Sequence, residues 1–135
     1  MTTTRTKTFW WVMWAMSLIV AAAPTSSAHH SAAASYDADR SVEIQGTVIE
    51  FAWRNPHSHL YISVAAGPFK GRTYSVELSS AVSLSRSGWT RTLLRPGDRV
   101  TMAVNPSRTD LPVGLCRNCV FTVNGKPGAP RTQVD

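Results

Sequence analysis

A chain of 135 residues has room for one domain. Its content of 43% hydrophobic and 16% charged residues lies in the globular range, which excludes a disordered or fibrous protein. The formal net charge of +6 favours weak contact with anionic surfaces, although the arginines are scattered along the chain rather than clustered.

The N-terminal segment has the pattern of a cleavable signal peptide. A polar stretch with two basic residues precedes the apolar run 9–23. Small residues follow at Ser26 and Ala28, the −3 and −1 positions that a signal peptidase requires. The run is shorter than about 20 residues, the length that crosses a membrane, so a retained anchor is disfavoured. We therefore expect residues 1–28 to be a signal peptide that is cleaved after Ala28.

Export limits the partners of the mature chain. The cleavage position has no cysteine that would accept a lipid, and no twin-arginine pair precedes the apolar run. We therefore expect a soluble protein of the bacterial periplasm, without stable membrane insertion after cleavage. Loss of Arg5 and Lys7 lowers the formal charge to +4. Because export separates the protein from the DNA and RNA of its own cell, we exclude nucleic acid as a partner.

The mature chain begins with an arm and one long strand. Residues 29–41 have no β-period and little to bury, which predicts an extended N-terminal arm. Apolar and polar residues alternate from Val42 to Trp53, but the parity of this alternation changes at Ile49. We therefore expect a single strand with a bulge or sharp bend beside Gly46.

Further strands and a short helix follow. The second strand has an aliphatic face formed by Leu60, Ile62 and Val64. Its opposite, polar face carries His57, His59 and Tyr61. The third strand alternates Tyr74, Val76 and Leu78 with Ser75, Glu77 and Ser79. The pattern then predicts a helix at 79–88, a fourth strand at 100–104, a loop at 105–114, a fifth strand at 119–123 and a disordered tail at 126–135.

This order of elements predicts an all-β domain with one short helix over residues 42–125. Three strands, a short helix and two more strands, with a long and bent first strand, form the element order of the OB-fold, a five-stranded Greek-key barrel. Closure of the barrel hides the strand edges that an open sheet would expose. A small β-sandwich with the helix at one end is the alternative.

Three short motifs occur in order along the chain. They are His29-His30-Ser31, Trp53-Arg54-Asn55-Pro56-His57-Ser58, and Gly88-Trp89-Thr90-Arg91 with Pro96-Gly97-Asp98. Together they resemble an uncharacterised family of small exported proteins of Gram-negative bacteria, over about residues 28 to 125. The resemblance implies an exported OB-like barrel and no established activity. His59, where the family pattern has an aromatic residue, and the pair Cys116 and Cys119 depart from that pattern.

All four histidines of the chain lie in two pairs, which indicates a metal site. Because residues i and i+2 of a strand point to the same side, His57 and His59 would present both imidazoles to one ion. Cleavage after Ala28 would make His29 the first residue, so that its α-amine and imidazole would chelate a metal beside His30. The affinity order of divalent ions for imidazole peaks at copper, so we expect copper before zinc. The alternative is a set of solvated or turn-capping histidines that bind no ligand.

Cys116 and Cys119 form a CxxC motif at the start of the expected fifth strand. A thioredoxin-type site places its first cysteine at a helix N-terminus, so a redox-active pair is disfavoured here. In an oxidising envelope we expect a local disulfide between the two residues. A metal pair that completes the histidine site, or two free thiols, are the alternatives.

These observations favour a non-enzymatic periplasmic binding module that binds copper or another transition metal through its histidines. We do not expect an enzyme, because no nucleophile, base and acid fall into a catalytic arrangement. The competing hypothesis is a structural or adaptor protein that binds an unknown envelope protein or peptide through the open face of the barrel. A basic stripe that binds anionic ligands is a further candidate, although such residues usually form a solvated face. Its members would be Arg54, Arg91, Arg95 and Arg99.

Overall fold

The computed structural model of the protein describes residues 34–128. The elements in chain order are β1 (Val42–Ala52), β2 (His59–Val64), β3 (Thr73–Glu77), α1 (Ala81–Arg86), β4 (Arg99–Pro106), β5 (Val113–Leu115), β6 (Phe121–Val123) and β7 (Lys126–Pro127). The predicted signal peptide 1–28 and the pair His29 and His30 lie outside the described residues, as does most of the predicted tail.

Five of the strands close into a barrel. Their order around the ring is β1, β2, β3, β5 and β4, and β4 pairs with β1 to complete it. The β3–β5 pair is parallel, and the other pairs in the ring are antiparallel. This order, with a short helix between β3 and β4, confirms the predicted OB-fold-like barrel. The β-sandwich alternative is wrong, because β1 forms ladders with both β2 and β4 and so joins all five strands in one ring.

A bulge lets β1 serve two neighbours. The first half of the strand pairs with β4 and the second half with β2. The register along β2 shifts between Val48 and Glu50, which leaves Ile49 as an extra residue that is 46% exposed. The position predicted for this bulge, beside Gly46, is wrong by a few residues, because the structure has the bulge at Ile49. Its position follows from Val48, whose backbone exchanges hydrogen bonds of 2.8 and 2.9 Å with the turn Gly97-Asp98 before β4.

The fifth strand of the barrel comes from a segment that the sequence predicted as a loop. β5 has only three residues, which is too short for an alternating pattern to be recognised. The buried hydroxyl of Tyr74 donates a hydrogen bond of 2.9 Å to the Val113 carbonyl, and burial raises the pKa of Tyr74 to about 12, so the hydroxyl stays a donor. The predicted fifth strand 119–123 corresponds to β6, which begins only at Phe121 and pairs with β4 outside the ring.

A hairpin extends past the predicted end of the domain at residue 125. Lys126 and Pro127 pair with β6, and the N–H of Gly128 donates a hydrogen bond of 2.9 Å to a carbonyl of the same strand. Asn124 and Gly125 have φ angles of 51° and 79°, which is the geometry of a tight two-residue hairpin turn. The first residues of the segment predicted as a disordered tail are therefore a short strand.

The interior of the barrel is filled by the inward-facing side chains of its strands, chiefly Ile44, Val48, Leu60, Ile62, Val64, Tyr74, Val76, Val100, Met102 and Val104. Helix α1 is shorter than the predicted 79–88. It begins after Ser80, whose hydroxyl accepts a hydrogen bond of 3.1 Å from the Ser83 N–H. Trp89 follows the helix and packs against Phe121, with ring centroids 4.9 Å apart. Trp89 is therefore a core residue, 2% exposed.

The end of the N-terminal arm lies along the end of β4. Within the predicted arm 29–41, Tyr36 forms a β-bridge with Ser107. The N–H of Asp37 also donates a hydrogen bond of 2.9 Å to the Pro106 carbonyl. These backbone contacts hold the side chain of Tyr36 beside the barrel rather than in solvent.

Candidate functional site

His57 and His59 lie where β2 begins, beside the end of β3. His59 is the first residue of β2 and is paired with Glu77, the last residue of β3. Directly opposed residues of an antiparallel pair place their side chains on the same face, with β-carbons about 5 Å apart. His57 precedes β2 and follows the cis peptide bond Asn55–Pro56. The prediction that both histidines belong to the strand is therefore wrong for His57.

Glu77 connects His57 to the N-terminal arm. The Nδ1 atom of His57 lies 2.8 Å from Oε1 of Glu77, and the hydroxyl of Tyr36 donates a hydrogen bond of 2.8 Å to Oε2. The side chain of Glu77 is 20% exposed and that of His57 is 56% exposed. In its neutral form, a histidine that donates from Nδ1 to a carboxylate has its lone pair on Nε2. We call Tyr36, His57, His59 and Glu77 the histidine cluster.

His59 is the more buried of the two described histidines. Its Nδ1 atom is buried and has no hydrogen-bond partner within residues 34–128. The ring stacks on that of Tyr61, with centroids 6.2 Å apart and an interplanar angle of 17°. Burial lowers the pKa of His59, and the positive charge of Arg54 lowers it further, against an opposing effect of Glu77. The imidazole of His59 is therefore neutral at neutral pH, which is the form that binds a metal.

Cys116 and Cys119 are joined by a disulfide in the structure. Both are buried, with exposed fractions of 0% and 6%. The N–H of Cys116 donates a hydrogen bond of 2.9 Å to the carbonyl of Glu77, so the disulfide loop lies next to the histidine cluster. In this state neither sulfur is a thiolate, and neither is available as a metal ligand. The oxidation state of the pair in the cell stays a prediction.

Sequence reasoning missed Glu77 and Tyr36 as members of this site. A signal for Glu77 was present, because it lies on the polar face of the third strand, next to the polar face that carries His59. Recognising it required the register of the β2–β3 pair, which the alternating pattern does not give. Tyr36 had no signal, since its position depends on the bridge between the arm and Ser107.

The cluster contains two imidazoles, a side-chain group that binds transition metals in proteins. Within the described residues, no three His, Cys, Asp or Glu side chains converge as metal ligands would. His57 and His59 therefore offer two imidazoles, and further ligands would come from elsewhere. The predicted ligands His29 and His30 lie outside the described residues. No helix between residues 34 and 128 is long and apolar enough to cross a membrane.

Comparison with known proteins gives one match. A family model with the description "family of unknown function (DUF6152)" matches residues 16–116. The matched range includes Tyr36, both histidines of the cluster and Glu77. No curated protein and no solved structure matches the chain.

Proposed function

We propose that this chain, which belongs to the DUF6152 family of unknown function, is a non-enzymatic binding module of the bacterial cell envelope that binds a transition metal ion through its histidines. Copper is the first candidate, because imidazole nitrogen suits copper and the affinity order of divalent ions peaks there. Zinc is the second. The ligands are His57 and His59, with His29 and His30 of the N-terminal arm as the further donors.

The bond between His57 and Glu77 is the observation that carries this proposal. Histidines that bind metals commonly donate their other ring N–H to a carboxylate, which fixes the tautomer and raises the basicity of the ligating nitrogen. Glu77 holds Nδ1 of His57 at 2.8 Å, and more than half of the imidazole is exposed. In the neutral form of the ring, Nε2 of His57 would be the nitrogen that binds the ion.

His59 supports the proposal as a second donor. It is opposed to Glu77 in the β2–β3 ladder, and its lowered pKa keeps it neutral. A neutral imidazole binds a metal without first releasing a proton. The imidazoles of His57 and His59 form an incomplete site, and the α-amine and imidazole of a new N-terminus at His29 would supply the remaining donors.

Location in the envelope is supported by the N-terminal pattern and by the cysteines. The segment 1–28 has the length, flanks and small residues of a cleaved signal peptide. Cys116 and Cys119 are placed to form a disulfide, and disulfides persist in the periplasm rather than in the cytosol. The pattern of export and the oxidised pair therefore agree with each other.

Calorimetric titration with Cu(II) and Zn(II) tests the metal proposal. We expect a dissociation constant for copper in the micromolar range or below, and loss of this binding in His57→Ala and in His59→Ala. Ser63→Ala is the matched control, because Ser63 is an exposed residue of β2, the strand that contains His59. Binding no tighter than that of the unfolded chain would contradict the proposal.

Failure of metal binding would favour the adaptor hypothesis. In that case the barrel would capture an envelope protein or peptide, and the capture would be unchanged by chelators and by substitution of His57 or His59. If the barrel binds its partner protein only when copper is present, the histidine cluster would instead be part of the surface that contacts that partner.

A further inference from the structure

A cleft at the end of β1 lies next to the histidine cluster and is not used by it. It has a volume of about 310 Å³ and is lined by Glu50, Phe51, Ala52, Trp53, Arg54 and Arg91. The cleft is shallow and open to solvent, so a ligand in it would stay partly exposed. Trp53 and Arg54 come from the segment after β1, whereas Arg91 comes from the segment after α1, so the fold brings together two of the short motifs of the sequence.

The positive charges of the cleft are not neutralised by the described part of the chain. The guanidinium groups of Arg54 and Arg91 form no ion pair or side-chain hydrogen bond within residues 34–128, where the ion pair present is that of His57 with Glu77. Glu50 lines the same cleft but pairs with neither arginine. An anion bound between the two guanidinium groups would be attracted by both.

The backbone around Arg54 is fixed in place. The hydroxyl of the buried Ser58 donates to the carbonyl of Arg54 at 3.1 Å and accepts from its N–H at 3.2 Å. The N–H of Ala81, the first residue of α1, donates to the same carbonyl at 3.1 Å. These hydrogen bonds fix the backbone of Arg54 and so define the position from which its side chain extends.

Two aromatic side chains form the apolar wall of the cleft. The rings of Phe51 and Trp53 are 5.4 Å apart and perpendicular, with an interplanar angle of 86°. Both side chains are partly exposed, although their neighbour Trp89 is buried. An aromatic pair that the core leaves partly open offers a surface on which a planar apolar group packs.

We infer that this cleft binds a small aromatic carboxylate, with the carboxylate between Arg54 and Arg91 and the ring against Phe51 and Trp53. Arginine favours carboxylates because its planar fork forms paired hydrogen bonds with them. The aromatic wall adds selectivity for a ligand with a flat apolar body over a simple anion. This binding is separate from the proposed metal site, since none of His57, His59, Glu77 and Tyr36 lines the cleft.

Nuclear magnetic resonance titration of the protein with benzoate tests this inference. We expect saturable shifts of the Trp53 indole N–H and of the amides of residues 50–54 and 91. Benzyl alcohol keeps the ring without the charge, and acetate keeps the charge without the ring. Each should bind at least about tenfold more weakly than benzoate, because each lacks one half of the recognition.

Variants of the cleft sharpen the test. Arg54→Gln and Arg91→Gln should each weaken benzoate binding at least about tenfold, the loss that follows from removing a charged partner of a carboxylate. Arg86→Gln on α1 is the matched control and should bind benzoate as the native chain does. The inference is overturned if benzoate gives no saturable shift, if benzyl alcohol binds equally well, or if Arg91→Gln binds benzoate as tightly as Arg86→Gln.

Discussion

Glu77 holds two side chains that come from different parts of the chain. Each of its carboxylate oxygens has one partner at 2.8 Å, His57 from the loop before β2 and Tyr36 from the arm. Partial burial strengthens such hydrogen bonds, because water competes less for the same atoms. Burial and the adjacent carboxylate of Glu77 raise the pKa of the Tyr36 hydroxyl, so Tyr36 stays protonated and remains a donor at neutral pH.

Replacing Glu77 tests whether it supports the proposed metal ligand. We expect Glu77→Gln to weaken copper binding about 10-fold to 100-fold, the usual effect of losing the carboxylate behind a ligating histidine. Tyr36→Phe removes the other hydrogen bond of the carboxylate and should weaken binding less. Calorimetry on the two variants measures the difference. Unchanged affinity in Glu77→Gln, with loss of binding in His57→Ala, would show that Glu77 has no part in the site.

The strands of the barrel depend on a close approach at Gly46. This residue is paired with Val64 of β2, and a β-carbon at position 46 would overlap the carbonyl of Ser63 and the side chain of Ile62. We expect Gly46→Ala to lower the free energy of unfolding by about 1–3 kcal/mol, because the two strands must separate locally. Urea denaturation measures this change.

Thr47→Ala is the control for the glycine substitution. Thr47 is the exposed neighbour of Gly46 in β1, and a surface change of this kind alters stability by less than about 0.5 kcal/mol. Equal stability of Gly46→Ala and the native chain would mean that β1 and β2 adjust their spacing without cost.

The elements that the sequence predicted best are those with a sustained period. β1 to β4 each alternate over five or more residues. Their order with α1 and a fifth strand at 119–123 predicted the barrel, although the strand that completes the ring is β5. β5 was missed because a three-residue strand shows no period. The pair His57 and His59 was visible as a candidate site, whereas Glu77 joined it only through the register of β2 and β3. A register is decided by packing and turns between strands, which a single strand's pattern does not contain.

At the scale of the whole molecule, we expect the disulfide to contribute little to the stability of the barrel. Cys116 and Cys119 are separated by only three positions. A disulfide that closes so short a loop lowers the entropy of the unfolded chain only slightly. We expect reduction to leave the barrel folded and to lower the melting temperature by less than about 8 °C, which corresponds to about 1 kcal/mol in a domain of this size. Calorimetric melting with and without reductant measures the effect.

Alkylation in denaturant, followed by mass spectrometry, gives the oxidation state directly. Protein freshly isolated from the envelope should gain no label without reductant and two labels with it. Labelling of both cysteines in the absence of reductant would contradict the disulfide and leave free thiols or a metal pair as the state of Cys116 and Cys119. A chelator added before denaturation distinguishes those two, since a bound metal would appear in the released fraction.

The hydrogen bond between Tyr36 and Glu77 ties the end of the N-terminal arm to the barrel. In the proposed mature chain, which would begin at His29, seven peptide units would separate the terminal amine from Tyr36. An extended chain covers at most about 3.6 Å per residue, so the amine would lie within about 25 Å of Tyr36. Confinement on this scale corresponds to a local concentration in the millimolar range. If the proposed metal site includes the arm, all of its ligands would come from one molecule, and calorimetry would give a stoichiometry of one ion per chain.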